Sequence, residues 1–115
     1  MSERSQALFL TDIIESISAI ESYVTDRTFD QFATDRKTFS ATIRELEIIG
    51  EAIRNISDEI KRAYPEVLWQ EIRSFRNKIT HEYFGIDARI VWDVVLNELA
   101  TLKLQVTEIM ESVTK

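Results

Sequence analysis

The scarcity of helix-breaking residues is the feature that most restricts how this chain can fold. The chain has 115 residues but only two glycines and one proline. In a helix interior these residues cost about 1 and 3 kcal/mol relative to alanine. Apolar residues recur at three- and four-residue spacing, and stretches of alternating apolar and polar residues are absent. The sequence therefore predicts an all-α fold, an up-down bundle of four to five helices in a single domain over residues 1–115.

The apolar spacing also places the long helices along the chain. We expect helices at about 5–24, about 35–57 and about 88–112. Another helix should have Pro65 in its first turn, where the missing backbone N–H costs nothing, and should stop at Gly85. A polar connection at 55–64, which can hold one helical turn, separates the helix at about 35–57 from the helix that starts at Pro65.

Three short polar residues are the predicted N-caps of helices. Thr28 should cap a short turn that runs through Phe32, Asp35 the second long helix, and Asp87 the last helix. Each side chain has an oxygen that can accept a hydrogen bond from the backbone N–H groups left unpaired at a helix start.

Composition excludes several classes of protein. The chain has no cysteine, so it holds neither a disulfide nor a thiolate zinc site. No apolar run approaches the ~20 residues that span a bilayer, so no membrane association is expected. The opening residues 1–5 lack the features of a signal peptide, which favours a cytoplasmic location. No helix carries histidine and carboxylates at metal-ligand spacing, and no glycine-rich phosphate loop is present, so we predict neither metal nor cofactor.

The segment 76–83 carries the groups needed for proton transfer beside a phosphate. His81 is the only histidine of the chain, and histidine is the side chain that gives and takes protons near neutral pH. Arg76 offers a fixed, permanently charged fork that binds phosphate oxygens. With Tyr83 these residues form the pattern Arg-x4-His-x-Tyr.

Helical geometry limits how these side chains can meet. At about 100° per residue, Arg76 and Tyr83 share one face of a helix, whereas Arg76 and His81 point about 140° apart. Either the helix loosens near Thr80 and His81, or a second subunit completes the site. We favour a helix end there, with a symmetric dimer across it.

The pattern resembles the catalytic signature of the HepT-like toxins of the HEPN superfamily. Residues 47–52, Glu-Ile-Ile-Gly-Glu-Ala, are similar to the core of that family's long second helix. Residues 69–77 are similar to its approach to the motif, and residues 84–92 to its exit. The resemblance covers nearly the whole chain, and the order of its parts makes it more specific than Arg-x4-His alone.

The resemblance implies a metal-independent endoribonuclease, the toxin of a type VII HEPN/MNT toxin–antitoxin system. Such toxins act as homodimers on RNA and are paired with an MntA-like nucleotidyltransferase antitoxin. That antitoxin transfers AMP from ATP to the motif tyrosine, which corresponds to Tyr83. Arg76 and His81 would carry the reaction, and since one imidazole does not easily act as both base and acid, a two-fold axis would bring two to one cleft.

The net charge of −6 opposes general RNA binding, because RNA attracts proteins through its phosphates. Arg73, with Arg76 and Lys78, would supply a local positive field instead. For Lys78 the alternative is a solvated charge, and Asn77 either orients the site or hydrogen-bonds the backbone. Tyr83 is an AMP acceptor, a stacking surface for a base or a packing residue.

Two other hypotheses of function stay open at this point. The motif cleft of a dimer would bind a nucleotide or the antitoxin without cutting RNA, or the chain would be a plain helical dimerisation domain. Glu47 and Glu51, four residues apart, are more simply salt-bridge partners than catalytic acids.

Overall fold

The computed structural model describes residues 3–74 and 87–114, and all regular structure within these ranges is helical. The all-α prediction is confirmed. None of the helices in these ranges is long and apolar enough to cross a bilayer. In chain order they are α1 (Glu3–Val24), α2 (Phe29–Thr34), α3 (Arg36–Arg54), α4 (Asp58–Ala63), α5 (helical residues 69–74), α6 (Ala88–Asn97) and α7 (Leu99–Val113).

The main core lies where α1 packs against both α3 and α7. Most of the apolar stripe predicted for α1 is fully buried there, while Ile14 and Val24 at its side and end are half-buried. The apolar stripes of α3 and α7 meet it. Full burial of one such side chain contributes about 1.5–3 kcal/mol. The buried residues are Leu10, Ile13, Ile17 and Ile20 of α1, Leu46, Ile49 and Ile53 of α3, and Leu102, Val106 and Ile109 of α7.

Aromatic side chains join α2 to α3 and α6. Phe32 is fully buried and stacks on Phe39 with 5.4 Å between ring centroids, while Trp92 lies 5.0 Å from Phe32 on another side. Phe29 meets Trp92 edge to face at 6.3 Å, and the guanidinium carbon of Arg89 lies 3.7 Å from the Phe29 ring centroid. These contacts hold the first two turns of α6 against α2.

All three predicted N-caps are confirmed. The Thr28 hydroxyl accepts from the backbone N–H of Gln31 at 3.2 Å, and the Gln31 side chain accepts from the backbone N–H of Thr28 at 2.9 Å, which makes a capping box. Asp35 caps α3 by accepting from the backbone N–H of Thr38. Asp87 caps α6 through a 2.8 Å bond from the backbone N–H two residues on.

The prediction that Pro65 lies in the first turn of a helix was wrong. Pro65 is the second residue of a turn in which the backbone N–H of Val67 donates to the Tyr64 carbonyl at 3.2 Å. The fixed φ of proline suits that position of a turn as well as it suits a helix start. The same carbonyl accepts from the indole N–H of Trp69 at 3.0 Å, and helical structure begins only at Trp69.

The single last helix predicted at 88–112 is also wrong, because the chain breaks at Glu98 into α6 and α7. Glu98 has φ −121° and ψ −31°. No glycine or proline lies near this break. The two halves have different neighbours, since α6 packs on α2 and α7 packs on α1. With the short helices α2 and α4, this break gives the bundle more segments than the four to five expected.

Candidate functional site

The predicted catalytic motif lies outside the residues that the structure describes. The predicted helix end near Thr80 and the stop at Gly85 lie outside them too. The roles of the motif residues therefore stay predictions. The structure describes the segments that flank the motif, α4 and α5 before it and α6 after it. The predicted site residues in this position are Arg76, Asn77, Lys78, His81 and Tyr83.

Arg73 is the one predicted site residue within the described part of the chain. It lies on α5 and its side chain is exposed. Its charge acts on Lys61 of α4: desolvation lowers the pKa of Lys61 most, nearby Asp58 opposes that, and the positive charge of Arg73 lowers it further. The fold thus brings two cations from separate helices close to each other.

Lys61 was not singled out from the sequence as a site residue. The only sequence signal was a pair of basic residues, Lys61 and Arg62, in the last turn of α4. Basic residues are common at helix C-termini because they complement the helix dipole. Only the tertiary structure shows that Lys61 is near enough to Arg73 for their charges to interact.

A buried glutamine of α1 positions α4. Gln6 is 3% exposed, and its side-chain oxygen accepts from the backbone N–H of Ser57 at 2.7 Å while its side-chain N–H group donates to the Asn55 carbonyl at 3.2 Å. Ser57 in turn caps α4 by accepting from the backbone N–H of Ile60. The connection from α3 to α4, and with it the direction of Lys61, is therefore tied to α1.

Of the two acidic residues of α3 singled out in the sequence, Glu47 and Glu51, one forms the salt bridge that the simpler interpretation predicts. Glu51 is exposed and forms an ion pair with Arg54, at 3.6 Å and one helical turn away. Such exposed pairs contribute only tenths of a kcal/mol. Glu47 is half-buried on the same helix.

Three relatives with curated descriptions align with most of this chain. "Probable ribonuclease HepT" of Thermococcus cleftensis is 44% identical over 101 residues, 88% of this chain and 92% of its own length. "Putative RNase MJ0127" of Methanocaldococcus jannaschii is 38% identical over 113 residues, 98% of this chain and 93% of its own. "Putative RNase TTE0752" of Caldanaerobacter subterraneus subsp. tengcongensis is 37% identical over 103 residues, which are 90% of this chain and 92% of its own length.

The family comparison gives the same result. The family described as "Ribonuclease HepT-like" matches residues 13–109, which include all of α3 to α6 and the whole Arg-x4-His-x-Tyr segment. No solved structure matches the chain. The chain belongs to the HepT-like family of the HEPN superfamily.

Proposed function

We propose that this protein is a metal-independent endoribonuclease of the HEPN type and the toxin of a type VII HEPN/MNT toxin–antitoxin system. The observation that carries the ribonuclease assignment is the near full-length match to relatives named as ribonucleases, at 44% identity for the HepT relative. The Arg-x4-His-x-Tyr order in residues 76–83 supports it, because those groups suit proton transfer at a phosphodiester.

The reaction follows from the chemistry of those side chains. The 2′-hydroxyl of RNA loses its proton to His81 and its oxygen attacks the adjacent phosphorus. The bond from phosphorus to the 5′-oxygen breaks, and the protonated His81 imidazole (imidazolium) of the second subunit gives its proton to the leaving oxygen. Arg76 stabilises the extra negative charge on the phosphoryl oxygens. The products are a 2′,3′-cyclic phosphate and a 5′-hydroxyl.

The flanking cations supply a path for the substrate. Arg73 is exposed on α5, and its charge acts on that of Lys61 on α4. A chain of net charge −6 repels RNA as a whole, so a local cluster of cations is needed to neutralise phosphates near the site. Lys78 would add a further positive charge within the motif, and Asn77 would orient the site.

Activity is tested with the purified chain, a labelled RNA and a chelator present. His81→Ala should abolish cleavage, since it removes both base and acid of the dimer, while the far-UV circular dichroism stays that of the parent. Arg76→Lys, which keeps the charge but loses the fork, should retain only part of the rate. Equal cleavage by parent and His81→Ala would refute the assignment.

The regulatory part of the proposal concerns Tyr83 and an MntA-like nucleotidyltransferase. Transfer of AMP to the tyrosine hydroxyl, with release of pyrophosphate from ATP, places bulk and negative charge where the substrate phosphate binds. Co-expression with the cognate nucleotidyltransferase should add AMP to Tyr83 by mass spectrometry and silence cleavage. Tyr83→Phe should stay unmodified, and an unmodified Tyr83 in a silenced pair would contradict this regulation.

A further inference from the structure

A groove runs along α5 beside the break between α6 and α7. It consists of two cavities of about 360 and 160 Å³ that share Glu71, Ile72, Glu98 and Leu102 in their walls. The larger cavity opens past Leu68. The smaller reaches inward to the core residues Leu46 and Ile49 of α3. The groove therefore has an apolar floor that is continuous with the hydrophobic core.

The rim of the groove combines exposed apolar surface with negative charge. Leu68 is 53% exposed at its edge. Glu66, Glu71 and Glu98 are exposed around it. Within residues 3–74 and 87–114 neither Glu71 nor Glu98 has an ion-pair partner, whereas other carboxylates there do, as in the pair Lys103–Glu21 at 2.9 Å.

The charge of the groove argues against two occupants. Among residues 3–74 and 87–114, its walls include three glutamates and no lysine, arginine or histidine. In a two-fold dimer each patch meets a copy of itself, so the glutamates of this groove would face glutamates of the second copy. RNA is disfavoured for the same reason, because its phosphates repel this rim.

We propose that this groove binds a segment of another protein that presents apolar side chains flanked by lysine or arginine. The apolar side chains fill the two cavities over Ile72 and Leu102. The lysine or arginine side chains of that segment pair with Glu71 and Glu98. Both glutamates border both cavities, and Glu98 is also the residue at which α6 and α7 separate. Charge steers the partner to the surface, and apolar contact holds it there. This binding does not depend on RNA cleavage by the chain.

The test measures binding of a fluorescein-labelled synthetic peptide with a row of leucines flanked by lysines, by fluorescence anisotropy with the full chain. The combined variant Glu71→Lys with Glu98→Lys should weaken binding at least about tenfold. Leu68→Ser alone, at an exposed position, should weaken it measurably and keeps the test valid if the double variant folds poorly. A peptide with glutamate in place of lysine should not bind.

The matched control changes the same net charge elsewhere. Asp12→Lys with Glu15→Lys alters a separate acidic cavity of about 330 Å³, whose lining shares no residue with the groove. Leu104→Ser removes a leucine that is 74% exposed and lies in neither cavity wall. Both controls should leave the peptide's Kd within about twofold of the parent's if the groove is the site.

Three results would overturn the proposal. Equal weakening by the Asp12/Glu15 control would mean that bulk charge alone attracts the peptide. Equal binding of the glutamate peptide would remove the charge complementarity. Groove variants that change the sedimentation mass but not peptide binding would show that a second copy of the chain occupies the groove.

Discussion

At the scale of single residues, Gln6 contributes more to the tertiary structure than the residues around it in the sequence indicate. It precedes the apolar stripe of α1 as one polar residue among others. In the fold its amide is buried and serves as both acceptor and donor for the backbone between α3 and α4. Its partners lie 49 and 51 residues away. No local pattern could identify it, because these two partners are ordinary backbone groups far along the chain.

The N-cap residues are the opposite case, since each was predicted correctly from a few neighbouring residues. Their hydrogen bonds reach only two or three residues along the chain, as at Thr28 and Asp87. A capping side chain needs no tertiary contact to find its donor. Asp35 adds one contact that local reasoning did not include, a 3.0 Å ion pair with Arg27.

Asp35 makes the stability of α3 depend on acid. Hydrogen bonds from the Thr38 hydroxyl and backbone N–H lower the pKa of Asp35 most, and Arg27 lowers it further. A pKa lower in the folded than in the unfolded state stabilises the fold above the unfolded value, 3.8, and this contribution is lost as pH falls through the folded pKa. Asp35→Asn should therefore lower Tm at neutral pH, and the difference from the parent should shrink below pH 3.8.

Thermal unfolding followed by circular dichroism at a series of pH values measures that difference in Tm. Arg27→Gln is the matched variant, because it keeps both bonds from Thr38 and removes only the weaker ion pair. Its pH-dependent difference should be the smaller of the two. A Tm difference for Asp35→Asn that does not change with pH would contradict the assigned pKa shift.

At the scale of helices, the long elements α1 and α3 agree with prediction within a few residues, whereas Pro65 and the last helix do not. Apolar periodicity depends on the helix itself, so it identifies α1 and α3 directly. The break at Glu98 depends on which neighbours the two halves pack against. The position of Pro65 depends on the Tyr64 carbonyl, which also accepts from the Trp69 indole. Both predictions failed where a contact that apolar periodicity does not reveal determines the backbone conformation.

The charge interaction between Lys61 of α4 and Arg73 of α5 leads to a prediction about RNA binding. In a His81→Ala background, Lys61→Gln and Arg73→Gln should each weaken binding of RNA about equally for all sequences and reduce the salt dependence of log K by about 1. The reason is that each removes one phosphate-neutralising charge. Binding isotherms at several salt concentrations give this slope.

Lys103→Gln is the control for that prediction. It removes the same charge, but Lys103 already pairs with Glu21 at 2.9 Å on the α1–α7 side of the bundle. Its binding slope should equal that of the parent. If Lys103→Gln lowered the slope as much as Lys61→Gln, the effect would come from net charge rather than from a path beside the motif.

At the scale of the whole molecule, the distribution of charge separates two surfaces. The cations Lys61 and Arg73 lie at the flank that leads into the catalytic segment, and the glutamates of the groove lie between α5 and the α6–α7 break. A net charge of −6 does not reveal that separation. Because the two surfaces are separate, one small domain can bind RNA at the first and attract a basic protein partner at the second, as we propose.

The amino-acid sequence alone determined the helical class, the caps and the family motif of this protein. Each of these depends on residues near one another along the chain: the caps lie within one helical turn of their donors, and the motif spans about two turns. Only the tertiary structure decided that Gln6 ties α1 to the α3–α4 connection, that the charges of Lys61 and Arg73 interact, and that α6 and α7 separate at Glu98 to border a groove. These features depend on how apolar faces of distant helices pack, and many arrangements satisfy the same apolar pattern until close packing selects one.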